Sequence, residues 1–190
     1  FDPTEKIIEY KIAGQGDRLV DMSLTAFADE TASESMAPGG GSIAAYVGTL
    51  GVALGTMVAN LSAHKPGWDD RWEFFSEWAV KGQAYLKQLQ ALVDEDTAAF
   101  NQIIDAFRIP KESEEEKEHR KAAIESATIY ATEVPLQVME TACASMEIME
   151  AMAKDGLKNS LSDAGVGMLC ARAAVMGAYF NVLINAKEIA

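Results

Sequence analysis

The sequence predicts an all-α protein, an up-and-down bundle of about five helices that pairs into a dimer. Three observations carry this reading. Apolar residues recur at helical spacing through most of the chain, and strand-like alternation is nearly absent. The breaks between periodic segments are short and hold Pro, Gly and Ser. Two periodic segments, 42–63 and 162–188, lack a clear polar face. One bundle of 190 residues cannot hide both, so a second subunit is expected to cover them.

Residues 1–22 read as a connecting segment, with at most one edge strand at KIIEYKI (6–12), ended by Gly14, Gly16 and Asp17. A first helix over 23–35 places Leu24, Phe27, Ala28 and Thr31 on one side. Pro38-Gly39-Gly40-Gly41 then leads into the apolar helix 42–63, which Pro66-Gly67 breaks. On that helix Ala44, Gly48, Gly51, Gly55 and Ala59 form a face without bulk, open to a neighbouring backbone. Ser42, Tyr46, Thr49, Thr56 and Asn60 form an uncharged polar face, which suits either interhelical hydrogen bonds or a pocket wall. The segment is long enough for a membrane span. Its Gly and Ala content and its polar interruptions favour a buried central helix instead.

The third helix has the most regular pattern. Trp68, Trp72, Phe75, Ala79, Gly82, Leu86, Leu89, Val93, Asp96, Phe100, Ile103 and Phe107 are spaced alternately four and three apart, a coiled-coil-like seam. Pro110 ends it. Ser113 and Glu116 form a capping box for the next helix, which runs to about 153. Ile124, Ala127, Ala131, Val134, Val138, Ala142, Met149 and Met152 face inward; Glu133, Gln137, Glu140 and Glu147 face water; Pro135 should kink it. Gly156 closes this run, and NSLSDAG (159–165) opens the last helix.

The net charge of −13, from 29 acidic and 16 basic residues, argues against nucleic acid and anionic membrane as partners. Cys143 and Cys170 read as reduced core residues, which points to a cytoplasmic location. His64 and His119 lie near no cysteine, so no zinc spacing exists and no metal is expected.

A few residues break the pattern. Asp96 is the one carboxylate in the third helix's seam, while Asp94 and Glu95 fall beside it. A carboxylate among apolar neighbours needs a partner or takes a raised pKa. It is either a structural ion pair or a group tuned for proton transfer. Gly39, Gly40 and Gly41 precede a helix start, where free N–H groups can meet an anion or a polarised carbonyl. No Gly-Lys-Ser/Thr follows, so this is not a Walker loop. Ser162 and Asp163 either cap the last helix or serve a ligand. Arg172 sits in an apolar run and would need a carboxylate, either Asp96, Asp163 or one on a ligand. Asn181 and Asn185 share a face with Gly177, and His64-Lys65 stands at the exit of the glycine-led helix.

Four stretches together, APGGGSIAAYVGTLGVALGTMVANLS, LVDEDTAAFNQIIDAFRIPK, NSLSDAGVG and GAYFNVLINAK, resemble the cyclodeaminase/cyclohydrolase family. Within it they are most similar to the C-terminal domain of bifunctional formiminotransferase-cyclodeaminases. The resemblance covers 23–190, and FDPTEKIIEY resembles the tail of a preceding formiminotransferase domain. It implies a linker at 1–22 and a cyclodeaminase domain at 23–190, cut short at its C-terminus. Leu157-Lys158 departs from the Gly-Asn expected before Asp163.

The resemblance implies an all-helical dimer, or a larger ring in the parent enzyme. It implies a tetrahydrofolate substrate, with or without a polyglutamate tail, and no metal or further cofactor. The implied reaction is an ammonia-lyase step of histidine degradation, from 5-formimidoyltetrahydrofolate to 5,10-methenyltetrahydrofolate and ammonia. On this reading Asp96 is the acid/base and Asp163 meets the pterin edge. Gly39, Gly40, Gly41 and Ser42 line the folate site, Lys65 and Arg172 meet the glutamate tail, and Asn181 and Asn185 meet the pterin. Two alternatives stay open: a methenyltetrahydrofolate cyclohydrolase on the same fold, and a non-catalytic helical assembly module.

Overall fold

The computed structural model describes residues 18–189. The expected connecting segment and edge strand lie almost wholly outside the described residues; Leu19–Asp21 form a short 3-10 turn. Five α-helices follow: α1 (Leu24–Thr31), α2 (Gly40–Ala63), α3 (Trp72–Arg108), α4 (Glu114–Asp155) and α5 (Leu161–Ala186). No strand occurs among the described residues. The short connections make α2 to α5 an up-and-down bundle. The starts of α2 and α4 and the ends of α3 and α5 therefore share one end of the bundle, called the site end below. The α2–α3 and α4–α5 connections share the opposite end.

Local chemistry sets the helix ends. Ser23 caps α1 by accepting a hydrogen bond from the Ala26 amide at 3.1 Å. The capping box at α4 is complete: Ser113 Oγ accepts from the Glu116 amide, and Glu116 Oε2 accepts from the Ser113 amide at 3.0 Å. Gly67, at φ 82°, turns the chain in the left-handed region where glycine carries no Cβ penalty. α4 continues through Pro135, which is buried.

α2 is the central helix and packs against α3, α4 and α5. Its small face allows this. A Cβ added at Gly51 would lie 2.7 Å from the Gly167 carbonyl oxygen of α5, and one at Gly55 would lie 2.8 Å from Met149 Sδ of α4. Thr49, Thr56 and Ser62 are buried and donate their hydroxyl hydrogens to carbonyls four residues back in α2. Two members of the polar stripe, Thr49 and Thr56, are thus satisfied within their own helix, while Ser42 bonds across to α3.

The α3 seam is buried in its middle, at Phe75, Ala79, Gly82, Leu89 and Val93, and opens at its ends, where Trp72 and Phe107 are exposed. Glu147 faces water in part, and it is also tied to α3. It accepts a hydrogen bond from Tyr85 at 3.0 Å and pairs with Lys81 at 2.6 Å, which together hold its carboxyl below its usual range. Cys143 is exposed rather than in the core, because α4 turns that flank away from α2; Cys170 is half-buried.

By length and composition alone, α2 and the segment containing α5 could each cross a membrane. The apolar window of α2 is 61% buried in the bundle, whereas that of α5 is 22% buried. α5 packs inward through Ala164, Ala171, Ala174 and Ala178 and leaves Leu169, Phe180 and Ile184 exposed.

Candidate active site

The site is built where the first turn of α2 crosses α3. Helix α2 begins inside the glycine run, with Gly39 as its cap, two residues earlier than the sequence suggests. The first amides of a helix have no partner within it. Here the Ser42 amide donates to Asp96 Oδ2 of α3 at 2.8 Å, and Ser42 Oγ donates to the same oxygen at 2.9 Å. Thr97 Oγ1 lies 3.4 Å from Ser42 Oγ. The second carboxylate oxygen, Oδ1, accepts no bond among the described residues and rests over the backbone of Gly41. A Cβ added there would be 2.0 Å from it, so the approach needs glycine.

Burial pushes the Asp96 carboxyl above its ordinary range, and the Ser42 hydroxyl and amide partly offset that rise. The group is therefore not a structural ion pair. Among the described residues no cation faces it, and its charge is met by neutral donors on one oxygen.

Around this carboxylate lies a cavity of about 190 Å³. Gly39, Gly40 and Gly41 form one wall, Phe100 and Ile103 of α3 another, and Asn181 and Asn185 of α5 a third. Asn181 Nδ2 donates to the Gly177 carbonyl at 2.9 Å, and Asn185 Nδ2 donates to the Ala131 carbonyl of α4 at 2.6 Å. Both carboxamides are thereby turned so that Oδ1 is the end without a partner among the described residues. No buried side-chain N or O among the described residues lacks a partner, so both oxygens are reachable from the cavity. The cavity offers a proton-accepting carboxylate oxygen, two carboxamide acceptors for N–H groups, and the free amides of a helix start.

The chain's relatives bear on what such a site handles. The family model described as formiminotransferase-cyclodeaminase matches residues 23–190. The chain belongs to the formiminotransferase-cyclodeaminase family. It is 38% identical over its whole length to the formimidoyltransferase-cyclodeaminase of Rattus norvegicus, of which it spans 35%. It thus covers about a third of the length of such curated relatives. It is also 34% identical to the methenyltetrahydrofolate cyclohydrolase of Methylorubrum extorquens, over 88% of this chain and 80% of that one. The solved structure of formiminotetrahydrofolate cyclodeaminase from Thermotoga maritima superposes with a TM-score of 0.78 at 30% identity, covering 90% of this chain and 81% of that one.

Of the residues singled out in this family member's sequence, the fold gathers Gly39, Gly40, Gly41, Ser42, Asp96, Asn181 and Asn185 at the site end. It does not bring Asp163, Lys65 or Arg172 there. Asp163 starts α5, and its 18-residue separation from Asn181 along that helix amounts to about 27 Å. Lys65 follows α2, whose 24 residues span about 36 Å. Arg172 is exposed on the uncovered side of α5 and forms no ion pair among the described residues, because the alanines of α5 take the packing face. Sequence reasoning missed Thr97, which only its adjacency to Asp96 marks, and Ala131, which nothing in the sequence marks. It read Phe100 and Ile103 as plain seam residues. Among the described residues no group of three or more His, Cys, Asp or Glu is placed to hold a metal ion.

Proposed function

We propose that this chain is a cyclodeaminase domain that converts 5-formimidoyltetrahydrofolate to 5,10-methenyltetrahydrofolate and ammonia. The observation that carries the reading is the Asp96 carboxylate, anchored through one oxygen by Ser42 and bare at the other, in a cavity lined by glycines and two asparagines.

The chemistry follows from that carboxylate. The formimidoyl group is bound as its amidinium. The substrate's N10 lone pair attacks the formimidoyl carbon, closing a five-membered ring, and the former C=N pair withdraws onto the amino nitrogen. N10 now carries a proton it must lose, and Asp96 Oδ1 accepts it. The protonated Asp96 then delivers that proton to the amino nitrogen. The C–N bond breaks, ammonia leaves, and the N5–C–N10 unit becomes the methenyl cation. One proton moves from N10 to the leaving nitrogen, and positive charge is conserved. A carboxyl whose pKa is raised suits both transfers better than a strongly acidic one. When ionised again, it also faces the cationic product ring.

Asn181 and Asn185 present acceptors that suit the N–H edge of a pterin. Among the described residues the cavity wall contains no Lys or Arg to meet the glutamate tail. A second subunit laid on the exposed face of α5 is part of the proposal, since that face carries Leu169, Phe180 and Ile184.

Ammonia release from 5-formimidoyltetrahydrofolate tests the reading, with the D96N variant beside the parent chain. Asn keeps the volume and cannot take the proton. A loss of at least ~100-fold in kcat, at unchanged helical circular dichroism, is expected. Retained turnover in D96N would remove Asp96 from the chemistry. The cyclohydrolase relative supports a second reading, in which water attacks the methenyl carbon. Supplying methenyltetrahydrofolate in a parallel assay separates the two, and the deaminase reading requires ammonia release to be the faster reaction.

A further inference from the structure

The opposite end of the bundle holds a second and larger cavity, of about 700 Å³. It lies between the α2–α3 connection, which contributes Lys65, Trp68 and Arg71, and the end of α4 with the α4–α5 connection, which contribute Lys154, Asp155 and Lys158. Among the described residues, four cations and one carboxylate therefore line one hollow in a chain whose net charge is −13.

The cations are not neutralised by the protein in the ordinary way. Arg71 takes the one lining carboxylate, Asp155, at 3.5 Å. Lys154 reaches out of the cavity to Glu150. Lys65 and Lys158 make no ion pair among the described residues. Lys65 Nζ instead stands 4.0 Å from the centroid of Trp68, and the Arg71 guanidinium 4.6 Å from the same ring. The ring is fixed in turn by stacking on the buried Phe75, with centroids 5.6 Å apart and planes 13° from parallel. Attraction to an aromatic face holds a cation in place without cancelling its charge. The two connections are themselves tied together, since the Leu157 amide donates to the buried Ser62 Oγ of α2 at 3.1 Å. The hollow therefore keeps Lys65 and Arg71 in place around Trp68 before any ligand arrives.

We infer that this cavity is an anion-binding site for a small ligand carrying two or more adjacent negative groups, an oligocarboxylate or an oligophosphate. Lys65 and Lys158 are its free charges, and the Trp68 face holds Lys65 and Arg71 beside one another. Lysine makes point-charge contacts without the planar fork of arginine, so carboxylate and phosphate share this chemistry. The site stands about one length of α2, on the order of 36 Å, from Asp96 in the same chain. It does not depend on the reaction proposed above.

Titration calorimetry with citrate and with tripolyphosphate, at constant ionic strength, tests the inference. One probe or both should bind at one equivalent per chain, and the affinity should weaken as salt is raised. Tighter citrate binding assigns the site to oligocarboxylates, and tighter tripolyphosphate binding to oligophosphates. The K65A/K158A double variant, both side chains being exposed, should weaken the better probe at least tenfold while keeping its circular dichroism. D96N should bind that probe as the parent chain does. The inference is overturned if neither probe binds, if the double variant binds equally well, or if D96N is the variant that loses binding.

Discussion

Replacing Gly41 by alanine probes the site at its tightest point. The added Cβ would stand 2.0 Å from Asp96 Oδ1 and 2.5 Å from its carboxyl carbon. Ordinary contact begins at 3.4 Å, so the oxygen must retreat by about 1.4 Å. That movement pulls Oδ2 away from the Ser42 amide and hydroxyl. A displacement of ~1 Å in a reacting group costs ~100-fold in rate, so G41A should lose at least that factor in ammonia release. The folding cost should be small: crowding opposes by ~1–3 kcal/mol, and the better helix propensity of alanine returns about 1 kcal/mol. Gly82→Ala provides the contrast. Its Cβ would lie 2.1 Å from Thr56 Oγ1, in the core and away from the cavity. G82A should lower the melting temperature and leave kcat/KM nearly intact in the fraction that folds. The assay is steady-state ammonia release with parallel thermal melts. If G41A retained kcat/KM within threefold of the parent, the reasoning that ties this glycine to the position of the carboxylate would be refuted.

Ser42→Ala removes a donor that lowers the Asp96 pKa, so that pKa should climb further and the acid limb of the kcat/KM–pH profile should move to higher pH. The stability effect has the same origin: a carboxyl whose folded pKa is raised favours folding when protonated and loses that contribution as pH rises through the folded value. S42A should therefore be more destabilised at neutral than at acid pH, as denaturant titrations at two pH values would measure. Asn185→Ala removes both a cavity acceptor and the tie to the Ala131 carbonyl; KM should rise about tenfold and stability should fall by ~1 kcal/mol, read from kinetics and urea melts. Ser113→Ala removes the α4 cap, 18 residues or about 27 Å along the helix from the cavity residue Ala131, and should cost ~1 kcal/mol, or about 2–4 °C in Tm, with activity unchanged at 25 °C.

The helices were legible because burial at period 3.6 leaves a mark on every turn, and Pro66, Pro110 and Gly156 punctuate it. Asp96 was legible for the converse reason, as a charge where its seam neighbours are apolar. Ser42 was named for the site, but its bond to Asp96 was not legible, because a serine on a polar stripe looks the same whether it bonds its own helix, as Ser62 does, or a carboxylate on the next. Lys65, Asp163 and Arg172 lie away from the cavity of their own chain, and for the first and second the up-and-down order already implied it. In such a bundle the residue after α2 and the residue opening α5 share one end, while the start of α2 and the close of α5 share the other. Arg172 was misjudged because an apolar run does not reveal which of its sides the chain itself covers.

Asp96 and the first turn of α2 complete one another: the helix lends an amide to the acid, and the acid occupies an amide that would otherwise face solvent. Neither half exists in usable form before α2 and α3 have docked. A partly assembled bundle would therefore be chemically silent, and the appearance of turnover during refolding should lag behind the appearance of helix and coincide with the closing of that crossing.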